Sequence, residues 1–139
     1  MIHQALYNLY PNITSIVDGE DSLKIFEGSI EITDTVDMAE AEAQAAILAQ
    51  DLKIAKYRAE VGRHIDQQAH ALGFDSIITA VTYADEPADL RNQSYGQALR
   101  EWRSKCWEKC REALATSEGG GAEPTVEELI ASLPAFVAP

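Results

Sequence analysis

The side chains able to do chemistry in this chain are three histidines, two cysteines and a surplus of carboxylates, and their spacing argues against a reaction centre. A metal-binding helix needs ligands three or four residues apart, so that they share a face, and His3, His64 and His70 offer no such pair among themselves. Glu60 and His64 are four apart, as are Asp66 and His70, a spacing that suits helix-surface pairs. Cys106 and Cys110 are also four apart in a stretch that reads as helix. They share a face but are poorly placed for a disulfide, and no second Cys or His pair lies nearby to complete a zinc site. Both are therefore expected to be reduced packing residues.

The phosphate and nucleophile motifs are missing as well. There is no Walker loop, no GxGxxG after a strand, no nucleophile elbow and no HExxH, and Gly119 to Gly121 are not followed by the Lys-Ser/Thr of a phosphate cradle. Carboxylates are so abundant that no single pair stands out as an acid and base. The expectation is a protein that is not an enzyme, with no catalytic residue, no cofactor and no metal.

Acidic residues outnumber basic ones 23 to 11, for a net charge of −12. The excess is uneven, at −7 over residues 1–60, −1 over 61–115 and −4 over 116–139. With no basic surface to neutralise phosphates, the chain is not expected to bind nucleic acid or an anionic membrane. Met1 to Tyr10 lacks a basic, apolar leader, and no run approaches the roughly 20 apolar residues of a spanning helix. The expectation is a chain made and kept in the cytoplasm, at least initially, without membrane insertion. At 139 residues it fits one domain, and its few aromatic residues point to a thin helical core.

The elements that would position these residues are expected in four parts: a small β segment over 1–36, a long heptad-like helix over 37–62, a helical module over 63–115, and a glycine-rich linker with a short docking helix over 116–139. In the first, Leu6 to Val17 is rich in β-formers, Asp18-Gly19-Glu20-Asp21 signals a turn, and Leu23, Ile25, Ile30 and Ile32 alternate around Glu27-Gly28. Two or three short antiparallel strands are predicted, completed by the helices or by another chain. Asp37 followed by Glu40 fits a capping box and opens a helix reaching about Leu72, with Gly73 to close it and Gly62 as a place for a kink or a register change. Met38, Ala41, Ala45, Leu48, Leu52, Ala55 and Ala59 recur at spacings of three and four, a heptad seam. An ordinary bundle helix and a self-associating coil both fit this pattern.

Further along, Asp75 or Ser76 can cap a short helix through Val81. A helix from about Ala88 to Ala115 would then place Tyr95, Leu99, Trp102, Cys106, Cys110 and Ala113 on one face. Thr125 and Glu128 form a second capping box, and Pro134 stops the final helix. The fold class predicted is mainly α with a small N-terminal antiparallel β segment (α+β), a long helix followed by a small helical bundle. Core positions are Ile65, Leu72, Trp102 and Trp107. Of the two tryptophans, one should fill the core and the other a surface groove. Leu48, Leu52 and Ala55 on the seam, and Leu129, Leu133 and Phe136 in the apolar tail, are candidate partner-binding residues. For the tail, docking on the chain itself and docking on another subunit both remain open.

Three stretches add a resemblance. HIDQQAHALGFDSIITAVTYAD (His64 to Asp85), ALREWRSKCWEKC (Ala98 to Cys110) and PTVEELIASLP (Pro124 to Pro134) are similar, in order and spacing, to a domain family of phage and prophage proteins whose genes lie beside tail-fibre genes. ALYNLYPNI, Ala5 to Ile13, resembles the start of small proteins encoded after phage fibres. Cys106 and Cys110 depart from the family pattern, which has plain apolar or small residues there. The resemblance covers about half the chain and implies a structural or assembly protein of a phage tail, located in the virion tail after assembly in the host cytoplasm. It implies as partner a tail fibre or a baseplate or tail-tip protein, with a homo-oligomer, a trimer matching fibre symmetry, as a further expectation. A transient fibre-folding chaperone is the alternative, and a tail-associated enzyme a third class. The family supplies no catalytic residues, and His64, Asp66, Asp75, Trp102 and Trp107 are expected to hold helices together.

Overall fold

The computed structural model describes the backbone of residues 1–18 and 22–139, and the turn expected at Asp18 to Asp21 lies largely outside the described residues. The fold is mainly α, with a small three-stranded antiparallel sheet near the N-terminus and a long helix. The chain divides into two compact units, Met1–Lys53 and Ile54–Pro139. The division falls inside the segment 37–62 that the heptad spacing marks as one helix, and the second unit takes in the tail as well as the helices expected over 63–115.

The first unit opens with α1, Ile2–Leu9, where β-former content predicts extended chain. The period decides the matter. Ile2, Ala5, Leu6 and Leu9 recur at helical spacing, and Ala5 and Leu6 are fully buried, whereas Tyr7 on the other side is exposed. Pro11 ends the helix, because the residue before a proline is pushed out of helical geometry, and Tyr10 has ψ 82. Strands β1 (Ser15–Asp18), β2 (Leu23–Glu27) and β3 (Ile30–Glu31) then form the sheet in the order β1-β2-β3. Glu27 pairs with Ile30, leaving the two-residue loop Gly28-Ser29 with Gly28 at φ 61, the glycine-first geometry of a type II′ hairpin turn. Thr14 pins the same corner, its hydroxyl accepting from Gly28 N at 2.7 Å and donating to Phe26 O at 3.1 Å. Leu6, Ile13, Ile25, Val36 and Ala41 make the core of this unit.

Helix α2 runs from Met38 to Ala71. Asp37 caps it as its spacing predicts, Oδ1 accepting from Glu40 N at 3.0 Å, while the Asp37 N–H donates to the Tyr10 hydroxyl at 2.9 Å. The helix continues through Gly62 without a break. In the second unit its buried stripe is Tyr57, Val61, Ile65 and Ala69, spaced by four and flanked by Ile54 and Leu72. Ala55 and Ala59, which belong to the heptad seam, are exposed. At 100° per residue, Ala59 lies well over a quarter-turn from the middle of the buried stripe. A four-residue step keeps large side chains on one side; the seam offered mostly alanines there.

Gly73, at φ 90, closes α2, and α3 (Ile77–Thr82) follows with Ser76 as its N-cap. A 3-10 turn over Tyr83–Asp85 leads to α4, Leu90–Glu118, capped by Asp89, whose side chain accepts from Asn92 N at 3.1 Å. α4 buries Leu99, Trp102, Cys106, Cys110 and Leu114. Gly96 lets its backbone approach the preceding turn: a Cβ there would lie 2.6 Å from Ala84 N and 2.8 Å from Ala80 O. Gln97 and Arg100 fasten the same turn, Gln97 Nε2 donating to Ala84 O at 3.0 Å and Arg100 Nη2 to Asp85 Oδ2 at 2.6 Å.

The glycine run expected to be a linker closes α4. Gly120 has φ 78, Gly120 N donates to Ser117 O at 3.2 Å and Gly121 N to Thr116 O at 3.0 Å, the paired bonds of a Schellman motif. α5, Val126–Ser132, then starts on a complete Thr125/Glu128 capping box. Its Leu129, with Leu133 just after it, enters the core of the second unit. Each fully buried side chain of this size contributes about 1.5–3 kcal/mol.

Candidate functional site

The partner-binding candidates separate in the structure. Leu52 is 62% exposed and Ile47, earlier on the same helix, is 55% exposed, whereas Leu48 is half-buried. Leu129 and Leu133 are 1% and 9% exposed, so the expectation that they form a docking surface for a partner is corrected: the tail docks on its own chain. The cause is Trp102. Its indole Nε1 donates to Pro134 O at 2.6 Å, and Phe136 meets the ring edge-on at 5.6 Å between centroids, half-buried against the core. Tyr57 holds the other end, its hydroxyl donating to Pro124 O and to Glu123 Oε1 at 3.3 Å. Burial, and then the Glu123 carboxylate, raise the pKa of that phenol.

Of the expected core residues, Ile65 and Trp102 are buried, and Leu72 and Trp107 are partly buried against the same cluster. The two tryptophans divide as expected, Trp102 inside and Trp107 at the edge of the core.

The helix-surface pairs expected for the histidines are replaced by other contacts. His64 packs its ring on Trp102 at 5.8 Å between centroids, and Glu60 pairs with Arg63. His70 Nε2 lies 2.6 Å from Asp75 O, while Asp66 Oδ1 accepts from Ile77 N at 2.9 Å, meeting a free N–H at the start of α3. Within HIDQQAHALGFDSI, then, the two acidic and basic side chains tie the α2–α3 turn rather than each other. Cys106 and Cys110 are free and buried. Burial pushes the Cys106 thiol up to about 11, and raises that of Cys110 against the opposing pull of Arg58 and Arg111. Thiols of this kind are poor nucleophiles and poor metal ligands. Among the described residues, no cluster of three or more His, Cys, Asp or Glu side chains could hold a metal ion.

One feature outside the sequence expectations is a cleft of about 350 Å³ in the second unit, between the turn after α2 and the start of α4. Its walls include Phe74, Asp75, Tyr83, Arg91, Asn92 and Tyr95. Phe74 and Tyr83 stand 5.8 Å apart at a tilt of 48°, and the Arg91 guanidinium lies 5.9 Å from the centre of the Tyr95 ring. The spacing of Tyr95 predicts a place on the buried face of α4, but the residue is half-buried and lines this cleft. No helix among the described residues is long and apolar enough to cross a membrane. No protein-family model matches the chain, and neither the curated proteins nor the solved structures compared with it contain a match.

Proposed function

We propose that this chain is a non-enzymatic structural or assembly protein of a bacteriophage tail that binds the tail fibre or the tail tip. The observation that carries the reading is how its three phage-like stretches meet. Ile65, Ala69, Ile77 and Ala80 come from the first, Leu99, Trp102, Cys106 and Cys110 from the second, and Leu129 and Leu133 from the third, and all ten lie in one hydrophobic cluster. That the three stretches contribute to one folding unit supports reading them together as a single module. The attachment surface in this reading is the exposed part of α2 within the first unit, with Ile47 and Leu52 open to solvent. A partner that fits presents an apolar strip edged with basic residues, since residues 1–60 carry −7.

The same exposed side chains favour a second reading, a fibre-folding chaperone that acts in the host cytoplasm and leaves. Mass spectrometry of purified particles, with the copy number taken relative to the fibre protein, separates the two. A fixed ratio, one copy per fibre chain or three per fibre, supports a tail component. Absence from particles, with co-purification on fibres from lysates, supports the chaperone, and absence from both refutes the proposal.

A further inference from the structure

We propose that Cys106 and Cys110 form a thiol-modification site gated by the C-terminal segment: a small-molecule disulfide forms a mixed disulfide there when the segment lifts, and the adduct then keeps it from reseating. Both thiols are free and buried, and no metal cluster among the described residues uses them. What covers them is the segment itself. Its near end is tied by the Tyr57 hydroxyl, which donates to Pro124 O. After burial and Glu123, Cys110 is the next influence raising that phenol's pKa, so its sulfur lies near this tie. The far end is tied by the Trp102 indole at Pro134 O, with Phe136 against the ring. α5 therefore lies along the stretch of α4 from Cys110 back to Trp102. Cys106 is in the middle of that stretch, one turn from each and turned by only about 40° from either at 100° per residue. Leu129 and Leu133 share one hydrophobic cluster with both sulfurs.

This cover is the part of the second unit most easily raised. α5 has 7 residues, short of the roughly 12–15 at which a lone helix holds in water, and it is seated chiefly by two buried leucines and two hydrogen-bonded ends. Gly119 to Gly121 precede it, and glycine backbone reorients most freely. Segments with few buried contacts open ahead of global unfolding. Opening also restores the chemistry. Burial holds the Cys106 proton to about 11 against an ordinary 9.0, so uncovering it raises the thiolate fraction at neutral pH by roughly a hundredfold. The reaction is an exchange: the thiolate attacks one sulfur of the reagent, the reagent's S–S bond breaks as the new one forms, and the departing thiolate takes up the proton the cysteine gave up. The cysteine sulfur is oxidised and the departing one reduced, so no further oxidant is needed. Four residues apart on one helix, Cys106 and Cys110 are poorly placed to close on each other, and the adduct stays. Its bulk has no room beneath Leu129, which cannot return.

The test is labelling of the full, reduced chain with glutathione disulfide and with dithiobis-nitrobenzoate, read by mass, beside amide exchange at Leu129 and Leu133. Mixed disulfides are expected well below the urea midpoint, at a rate that barely depends on urea. Leu129→Ala is expected to speed them at least tenfold, and Trp102→Phe, which keeps a ring but loses the donor to Pro134 O, severalfold. Gly96→Ala strains the Ala80–Ala84 turn, away from the segment, and should leave the rate within twofold. Equal acceleration by Gly96→Ala, or labelling that follows global unfolding, overturns the inference. So does an adduct that leaves the Leu129 and Leu133 amides as protected as before, or an internal disulfide in its place. None of these outcomes bears on attachment to a phage tail.

Discussion

The two units solve the problem of folding with different means. Met1–Lys53 has two cations against ten carboxylates, a net charge of −8, and its core cluster among the described residues has five buried apolar members. Ile54–Pro139 has nine cations against thirteen carboxylates, a net −4, and its cluster has thirteen such members. The first is thus self-repelling and thinly packed, held by side-chain bonds at its corners such as those of Thr14 and Tyr10, while the second rests on area. Small cores of the first kind are marginal alone, so stability in this chain is concentrated after Lys53.

The largest expected break of that asymmetry is Trp102→Ala, which removes the residue joining α4 to the tail and leaves Pro134 O without its donor. A loss of about 3–5 kcal/mol is expected, read as a shift in the urea midpoint. Amide exchange at Ile25 and Phe26 in the first unit should change far less than at Leu99 or Leu129. Gly96→Ala comes next. Its new methyl meets backbone at 2.6 Å rather than a movable side-chain end, and a cost of about 1–3 kcal/mol is expected in thermal unfolding.

Alkaline pH acts on the second unit in a smaller way. The folded state holds the Cys106 proton to about 11, above its ordinary 9.0, and Cys110 and Tyr57 are shifted in the same direction. The stability so gained is complete below pH 9 and is lost as pH rises through 11. Urea midpoints at the two ends of that range should fall for the parent chain and fall less for Cys106→Ala.

Two milder changes sharpen the contrast. Gly62→Ala is expected to stabilise by about 1 kcal/mol, because a helical glycine is replaced and the new Cβ meets only Trp107, at an ordinary 3.9 Å. A lower melting temperature would contradict that. Salt is the gentlest probe. At about 0.1 M the Debye length is near 10 Å, so added sodium chloride should raise amide protection in the first unit by more than in the second. Equal gains would remove charge from the comparison.

What could be read from residues alone was mainly local. The Asp37 cap, the Gly73 stop, the Gly28 turn and the Thr125/Glu128 box each depend on neighbours within a few positions, and each is found. α1 is hard to see in the residues because Tyr7 and Tyr10 favour strands by type, while the helical repeat of Ile2, Ala5, Leu6 and Leu9 is short. The buried side of α2 is legible beyond the seam, where Val61, Ile65, Ala69 and Leu72 recur at helical spacing and pack into the core, but not before it, where the seam positions Ala55 and Ala59 are exposed and Tyr57 is buried. Gly96 gave no local signal, since its role is the nearness of Ala80 and Ala84. The same holds for the site. Leu129 and Leu133 look like a docking surface until Trp102 is placed beneath them, and the cleft joins Phe74 to Tyr95 across twenty-one positions of chain.

The bond from Trp102 to Pro134 gives the chain a built-in optical gauge. While the tail is seated, this indole is 5% exposed, with a carbonyl at its N–H and Phe136 at its edge. If the tail lifts, the ring enters water and its fluorescence moves to the red, while Trp107 stays where it is and serves as the reference. Seating and release of the C-terminus can therefore be followed in the native protein, with no label attached.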